Sequence, residues 1–356
     1  MKIIHTADIH LDAAMQGKGL SPERARVRRE ELREAFLRLA EYARSVGASG
    51  VIIAGDLFDR GEVTVRVRRF VLDTIKKYPE MRFFLLFGNH DSGCFSFSDE
   101  LPENLTLFSD EWQSVTLGDV VIHGVELTGE NFSSVYESFE ADPEKLNIAV
   151  MHGAVGTSDG EDRINLKKLS GKGIDYLALG HYHSFEIGKL DRHGVYCYPG
   201  CLEGRGYDEC GDKGFSVINI ENGKITADFV KNSIRTVLEV NADMTGADSY
   251  FSQKEAVKKA LLGVPESSLV RVRTEGALRP SEEKFFSQIE RELKDRYFSF
   301  EIKDKTGLLI DRTDYEGDIS LKGEFIRLVS ESIEDADLRD KIISCGLSAL
   351  LGGNVE

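Results

Sequence analysis

The chain has 356 residues, a net charge of -16 and 41% apolar residues. That length exceeds what one hydrophobic core usually organises, so two domains are expected, and the acidity argues against a protein that is basic over its whole surface, as many nucleic-acid binders are. Five cysteines, an odd number without a C-x-x-C pair, suggest neither a disulfide framework nor a thiolate zinc centre.

The charge is unevenly distributed. Residues 1–90 hold 16 Lys and Arg against 12 Asp and Glu, a local +4, which leaves -20 for the other 266 residues. Lys2, His5 and Asp8 interrupt the N-terminal apolar run, and no stretch of about 18 apolar residues occurs anywhere. The expectation is a soluble cytoplasmic protein.

From residue 1 to about 230, short apolar runs alternate with helical patterns or turns, which predicts α/β layering. Strands are predicted at 2–7, 51–54, 83–87, 120–125, 146–151, 174–179 and 195–198. Leu32, Phe36, Leu39, Ala43 and Val46 follow helical spacing with Gly47 as a stop, and a second helix is predicted over 65–77 before Pro79. Near residue 230 the pattern changes, and no histidine follows His193. Beyond it come a strand at 235–240, a helix at 253–262, a strand at 269–273, a helix starting at Ser281 with Glu282 and Glu283 in its first turn, and a strand at 298–303. Two amphipathic segments close the chain, one with Phe325, Leu328, Val329 and Ile333, the other with Leu338, Ile342, Leu347 and Leu350. The expected division is a catalytic domain at 1–230, an α+β cap at 231–316 and a helical hairpin at 317–356.

Five short motifs stand where buried-looking strands stop, and open α/β sheets gather such positions on one edge. Asp8 and His10 flank Ile9, and period-two alternation would send both to one face, where they can grip one ion. Asp56 follows Gly55 and offers two oxygens that can bridge two ions; Asp59 is expected to orient a ligand or its own loop. Asn89 is assigned to a metal through its carbonyl oxygen, His90 to the substrate as general acid or stabiliser of the leaving oxygen, and Asp91 to orienting His90. His152, His181 and His183 supply imidazole nitrogen. His5, His123 and His193 are read as structural. Nitrogen and oxygen donors without thiolate favour two divalent ions such as manganese or iron, with magnesium and zinc as alternatives.

These motifs, D-x-H, G-D-x-x-D, G-N-H-D, H-G and G-H-x-H, resemble those of the calcineurin-like metallophosphoesterases. More closely, the run from His5 to Leu11, Gly55 to Asp59, Gly88 to Asp91 and Tyr198-Pro199-Gly200 resemble the DNA repair exonuclease branch of SbcD-like and YhaO-like nucleases. The resemblance implies a β-sandwich flanked by helices in α/β/β/α layers. It implies one ion on Asp8, His10, Asp56 and His183, another on Asp56, Asn89, His152 and His181, and His90 as the catalytic histidine. Archaeal and eukaryotic members carry a second catalytic histidine where this chain has Asp59. Asp12 and Cys201 depart from the branch's common glycine and serine without touching a ligand. Manganese-dependent 3′ to 5′ exonuclease and single-strand endonuclease activity, a homodimer, and a C-terminal hairpin docking an SbcC-like coiled-coil ATPase follow from the same resemblance.

DNA contact would fall to Arg26, Arg29 and Arg33, at helical i, i+3, i+7 spacing, and to Arg66, Arg68 and Arg69. Two other readings use the same motifs: a phosphomonoesterase or cyclic-nucleotide phosphodiesterase, and a non-catalytic DNA-binding scaffold.

Overall fold

The computed structural model describes residues 1–15, 20–59, 63–88, 94–95, 100–279, 282–309 and 318–350. They form two compact units, Met1–Val237 and Leu238–Glu356.

The first unit runs β1 (Lys2–Thr6), α1 (Pro22–Ser45), β2 (Gly50–Ala54), α2 (Val65–Lys76), β3 (Arg82–Leu86), β4 (Leu105–Leu107), β5 (Gln113–Leu117), β6 (Val120–Gly124) and β7 (Leu146–His152). It continues with β8 (Ala154–Gly156), β9 (Arg163–Asn165), α3 (Leu166–Leu169), β10 (Tyr176–Gly180), β11 (Glu186–Lys189), β12 (Val195–Tyr198), β13 (Gly214–Glu221) and β14 (Lys224–Lys231). One six-stranded sheet has the order β14-β13-β1-β2-β3-β4, the other β11-β12-β10-β7-β6-β5. The strands β1 to β4 are mutually parallel, as are β6, β7, β10 and β12. Such strands, covered on both faces, need nearly continuous apolar sequence. Val51, Ile52, Ile53 and Ala54 supply it and are fully buried.

The sheets stack through Ile3, Ile52 and Phe84 on one side and Ile122, Ile148 and Tyr176 on the other. The opposite face of the first sheet is covered by α1 and α2 through Leu32, Phe36, Leu39, Val67, Val71 and Ile75. Val135, Tyr136 and Phe139, from a turn-rich segment, cover the second sheet together with Leu169 of α3. The helix predicted from Leu32 begins ten residues earlier, at Pro22, because Ser21 accepts a capping hydrogen bond from the Arg24 amide and Pro22 preorganises the first turn. The hairpin of β13 and β14, absent from the predicted strands, turns at Asn222 and Gly223, both at positive φ.

The second unit holds β15 (Val237–Asp243), α4 (Tyr250–Ala260), β16 (Leu269–Glu275), β17 (Ala277–Leu278), α5 (Phe286–Leu293), β18 (Ser299–Asp304) and β19 (Gly307–Leu308), then α6 (Leu321–Ser332) and α7 (Ala336–Leu350). The order β15-β16-β18 forms a small sheet. Val257, Val270, Val272, Ile289 and Phe300 belong to its core. The helix predicted from Ser281 starts at Phe286 instead. Glu282 accepts the Arg279 amide at 2.7 Å and so closes a turn, while Gln253 accepts the Phe285 amide at 3.0 Å. α6 and α7 pack on each other through Ile326, Ile343 and Leu347. No helix among the described residues is long and apolar enough to cross a membrane.

Candidate metal centre

The parallel strands that precede motifs end on one edge of the sandwich. The loops beyond β1 and β2 are zipped together by main-chain bonds: Asp8 N–H to Gly55 O at 3.1 Å, His10 N–H to Asp56 O at 3.0 Å and Leu11 N–H to Leu57 O at 2.9 Å. Asp8, His10 and Asp56 all have φ near +50°. β1 stops at Thr6, so the expected strand alternation of Asp8 and His10 is replaced by two left-handed residues that turn both side chains inward. Each such residue costs on the order of 1 kcal/mol and persists because the surrounding bonds over-determine the loop.

Asp8, His10 and His183 bring one donor atom each within 4.8 Å of one another, and so do Asp8, Asp56 and His152. His10 Nε2 lies 3.3 Å from His183 Nε2, and His152 Nε2 lies 3.4 Å from Asp56 Oδ2. His10 Nε2 is 3.9 Å from Asp56 Oδ2, and His183 Nε2 is 4.0 Å from Asp8 Oδ1. Bonds of about 2.1 Å at right or tetrahedral angles hold neighbouring donors about 3.0–3.4 Å apart, so two of these edges already have the spacing of ligands on one ion. His183 Nδ1 sits 2.7 Å from Glu209 Oε1, an acceptor only, which places a proton on Nδ1 and leaves Nε2 a lone pair when the ring is neutral. That lone pair can accept from His10 Nε2–H at 3.3 Å, and a cation can take the place of that proton. The residues present fit a divalent ion.

His181 reaches the same edge. Its amide donates to both oxygens of Asp8 at 3.0 Å, and its ring lies 5.6 Å from that of His152. Gly55 and Gly88 make room: a Cβ would stand 2.3 Å from His152 Nδ1 at Gly55, and 2.1 Å from Asp56 Oδ1 at Gly88. Asn89, His90 and Asp91 lie outside the described residues.

Burial pushes the Asp8 carboxyl up to about 6. At His152 burial acts downward, but the hydrogen bond and charge of Asp56, with the charge of Asp8, outweigh it and raise the imidazolium to about 9. Burial lowers His181, whereas Glu209 and Asp8 raise His183 against the effect of burial. Protons thus gather where a dication would sit, and metal binding would release them. A cleft of about 570 Å³ adjoins His152 and Gly88, with Glu126, Glu161 and Asp162 among its walls.

The calcineurin-like phosphoesterase family model matches residues 1–185. The chain belongs to that family. This phosphoesterase is 25% identical over 370 residues to the uncharacterized metallophosphoesterase YhaO of Bacillus subtilis, covering 96% of this chain and 88% of that one. It is 27% identical over 281 residues to the DNA double-strand break repair protein Mre11 of Methanosarcina mazei, covering 75% of this chain but only 44% of that protein. It is 24% identical over 279 residues to the SbcD component of the SbcCD nuclease of Staphylococcus saprophyticus, covering 67% and 71%. The family's chemistry calls for divalent metal ions, in keeping with the clustered donors.

Asp59 stands beside the phosphoesterase's cluster, Oδ1 3.5 Å from His10 Nδ1. Among the expected DNA contacts, Arg26, Arg66 and Arg69 are exposed. Arg33 is engaged by Glu30 and Asp12, Arg29 donates to the Ala14 carbonyl, and Arg68 donates to the Cys94 carbonyl. Of the three histidines read as structural, His5 is buried against the Tyr176 hydroxyl, His123 lies between Ser114 and Asn147, and the amide of His193 bonds Asp191 in an exposed turn.

Sequence reasoning missed Arg205, Glu209 and Lys213. Lys213 Nζ donates to the His183 carbonyl at 2.6 Å although the residue is only 2% exposed. Their signal was a glycine-dense stretch, 200–214, with charges of both signs between two strands, directly after the Tyr198-Pro199-Gly200 motif.

Proposed function

We propose that this phosphoesterase is a two-metal DNA nuclease that hydrolyses phosphodiester bonds, with 3′ to 5′ exonuclease action on double-stranded DNA and endonuclease action on single strands. The observation that carries the reading is the convergence of Asp8, His10, Asp56, His152 and His183 on one edge, with donor spacings suited to divalent ions. The names of the Mre11 and SbcCD relatives supply the substrate class. When bound, a pair of ions, manganese by preference, would provide a hydroxide nucleophile and charge for both reacting oxygens. The chain's own part is to hold the ligands rigid through the zipped loops, to bring Asn89 to the second ion position, and to place His90, oriented by Asp91, against the leaving oxygen. Arg26, Arg66 and Arg69 offer exposed positive charge for phosphates, and that binding would weaken with salt.

The partner reading is an SbcC-like coiled-coil ATPase docked on the hairpin at 317–356, with the nuclease working as a homodimer. Leu321, Leu328 and Leu338 leave 70%, 55% and 50% of their surface exposed on that hairpin, which supports docking. A small phosphomonoester or cyclic nucleotide is the second reading, favoured by the size of the cleft beside His152, about 570 Å³, which suits a small molecule. Cleavage of end-labelled double-stranded DNA by the purified chain with manganese, lost in Asp56→Ala, is the expected result. Intact DNA beside rapid hydrolysis of para-nitrophenyl phosphate would move the assignment to the second reading, and biological activity retained in Asp56→Ala would point to a scaffold.

A further inference from the structure

Arg205 lies in the segment between β12 and β13, and its guanidinium joins two carboxylates. One terminal nitrogen donates to Asp59 Oδ1 at 3.0 Å, the other to Glu209 Oε1 at 2.7 Å, and Nε approaches the same Glu209 oxygen at 3.1 Å. Each carboxylate faces the outer nitrogen of one imidazole. Glu209 Oε1 is hydrogen-bonded to His183 Nδ1 at 2.7 Å, whereas Asp59 Oδ1 stands 3.5 Å from His10 Nδ1, within ion-pair reach but without a hydrogen bond between them. The inner nitrogens of those two rings are the pair that meet at 3.3 Å.

The other ion position is framed differently. His152 Nδ1 meets a neutral dipole, the Ala54 carbonyl at 2.9 Å, and the His181 ring makes no hydrogen bond among the described residues. A carboxylate on the outer nitrogen fixes a ligand ring's rotation and tautomer and strengthens its inner nitrogen as a donor. Two carboxylates beside each other would repel. A planar guanidinium, with its fork of donors, can hold both at fixed angles, and an ammonium presents a single point charge. Glu209 is only 3% exposed, so its bond to His183 is shielded from competing water on the carboxylate side, while Arg205 and Asp59 stay partly exposed.

We propose that Arg205 is a positioning residue that holds Glu209 hydrogen-bonded to His183 and keeps the Asp59 carboxylate beside His10, making the ion position of Asp8, His10 and His183 the tighter of two unequal sites. This rests on the two-ion reading above.

The test is a manganese titration by calorimetry of the whole chain, stripped of metal by chelation, in wild type, Arg205→Lys and Glu209→Gln. The wild type is expected to show a tight and a weak class. Both variants should weaken the tight class about 10- to 100-fold and leave the weak class in place. The retained weak class reports within the same isotherm that the loops are still folded. Two equal classes in the wild type, variants indistinguishable from it, or equal weakening of both classes would overturn the proposal. A wild type that binds unequal ions yet cuts no DNA would defeat the nuclease reading and leave this one standing; no binding at all would overturn both.

Discussion

Gly88 offers the sharpest perturbation of the centre. In Gly88→Ala the new methyl carbon would stand 2.1 Å from Asp56 Oδ1, 2.8 Å from its Cγ and 2.8 Å from its backbone nitrogen, where 3.0 Å is the closest approach such carbons show. Rotating the Asp56 side chain relieves the first two contacts but not the third, and the Asp56 backbone is held at φ +50° by the His10 amide. The carboxylate must therefore move by about 0.9 Å, whereas metal–ligand bonds tolerate only about 0.2 Å. Overpacking of this kind costs about 1–3 kcal/mol, or several degrees in Tm for a unit of this size. Because Asp56 is proposed to bridge both ions, calorimetric titration should show both manganese classes weakened by at least tenfold, unlike the selective loss expected of Arg205→Lys. Gly156→Ala, where nothing lies within 4 Å of the added carbon, is the control and should bind as wild type. Wild-type manganese binding by Gly88→Ala would refute the placement of Asp56 at the shared position.

His90→Asn should abolish DNA cleavage while metal content, read by elemental analysis, stays near wild type; loss of both ions would show that His90 is a ligand. Deleting 319–356 should spare nuclease chemistry and remove association with the ATPase, and unchanged co-purification would count against docking. Stability should also report on His5, whose imidazolium is lowered to about 3 by burial. Below about pH 6.5 the unfolded chain takes up a proton that the folded chain refuses, so this contribution is complete above 6.5 and is lost as pH falls. At pH 5 the loss is about 2 kcal/mol relative to pH 7. Denaturation midpoints of wild type and His5→Gln, compared at both pH values in chelator, should converge toward pH 5, and parallel curves would show that His5 is not the cause.

The strand-end motifs were legible because chemistry and position coincide: Asp8, Asp56 and His181 each follow, and His152 ends, a buried strand that its apolar run already announced. Two things stayed hidden for a physical reason. The left-handed conformation of Asp8 and His10 depends on main-chain bonds to residues 55 and 56, which no local pattern encodes. Arg205 reaches Asp59 across 146 positions of sequence, a contact visible only once β13 has returned beside β1. The Asn222 and Gly223 turn, by contrast, carried a plain hairpin signal. Ser281 misled because Glu282 and Glu283, typical of a helix start, serve as turn and backbone acceptors instead.

β1 is an interior strand with partners of very different age. It pairs with β2, about 47 positions later, on one side, and with β13, more than 200 positions later, on the other. At about 5–20 residues per second, the second partner leaves the ribosome roughly 10–35 seconds after the first. During that interval the nascent chain presents a bare strand edge, and the Arg205 frame cannot be complete. A chain interrupted at residue 200 would therefore be a protease substrate with an unbraced His183. Synthesis order alone would then keep unfinished copies from assembling the metal centre before the sandwich closes.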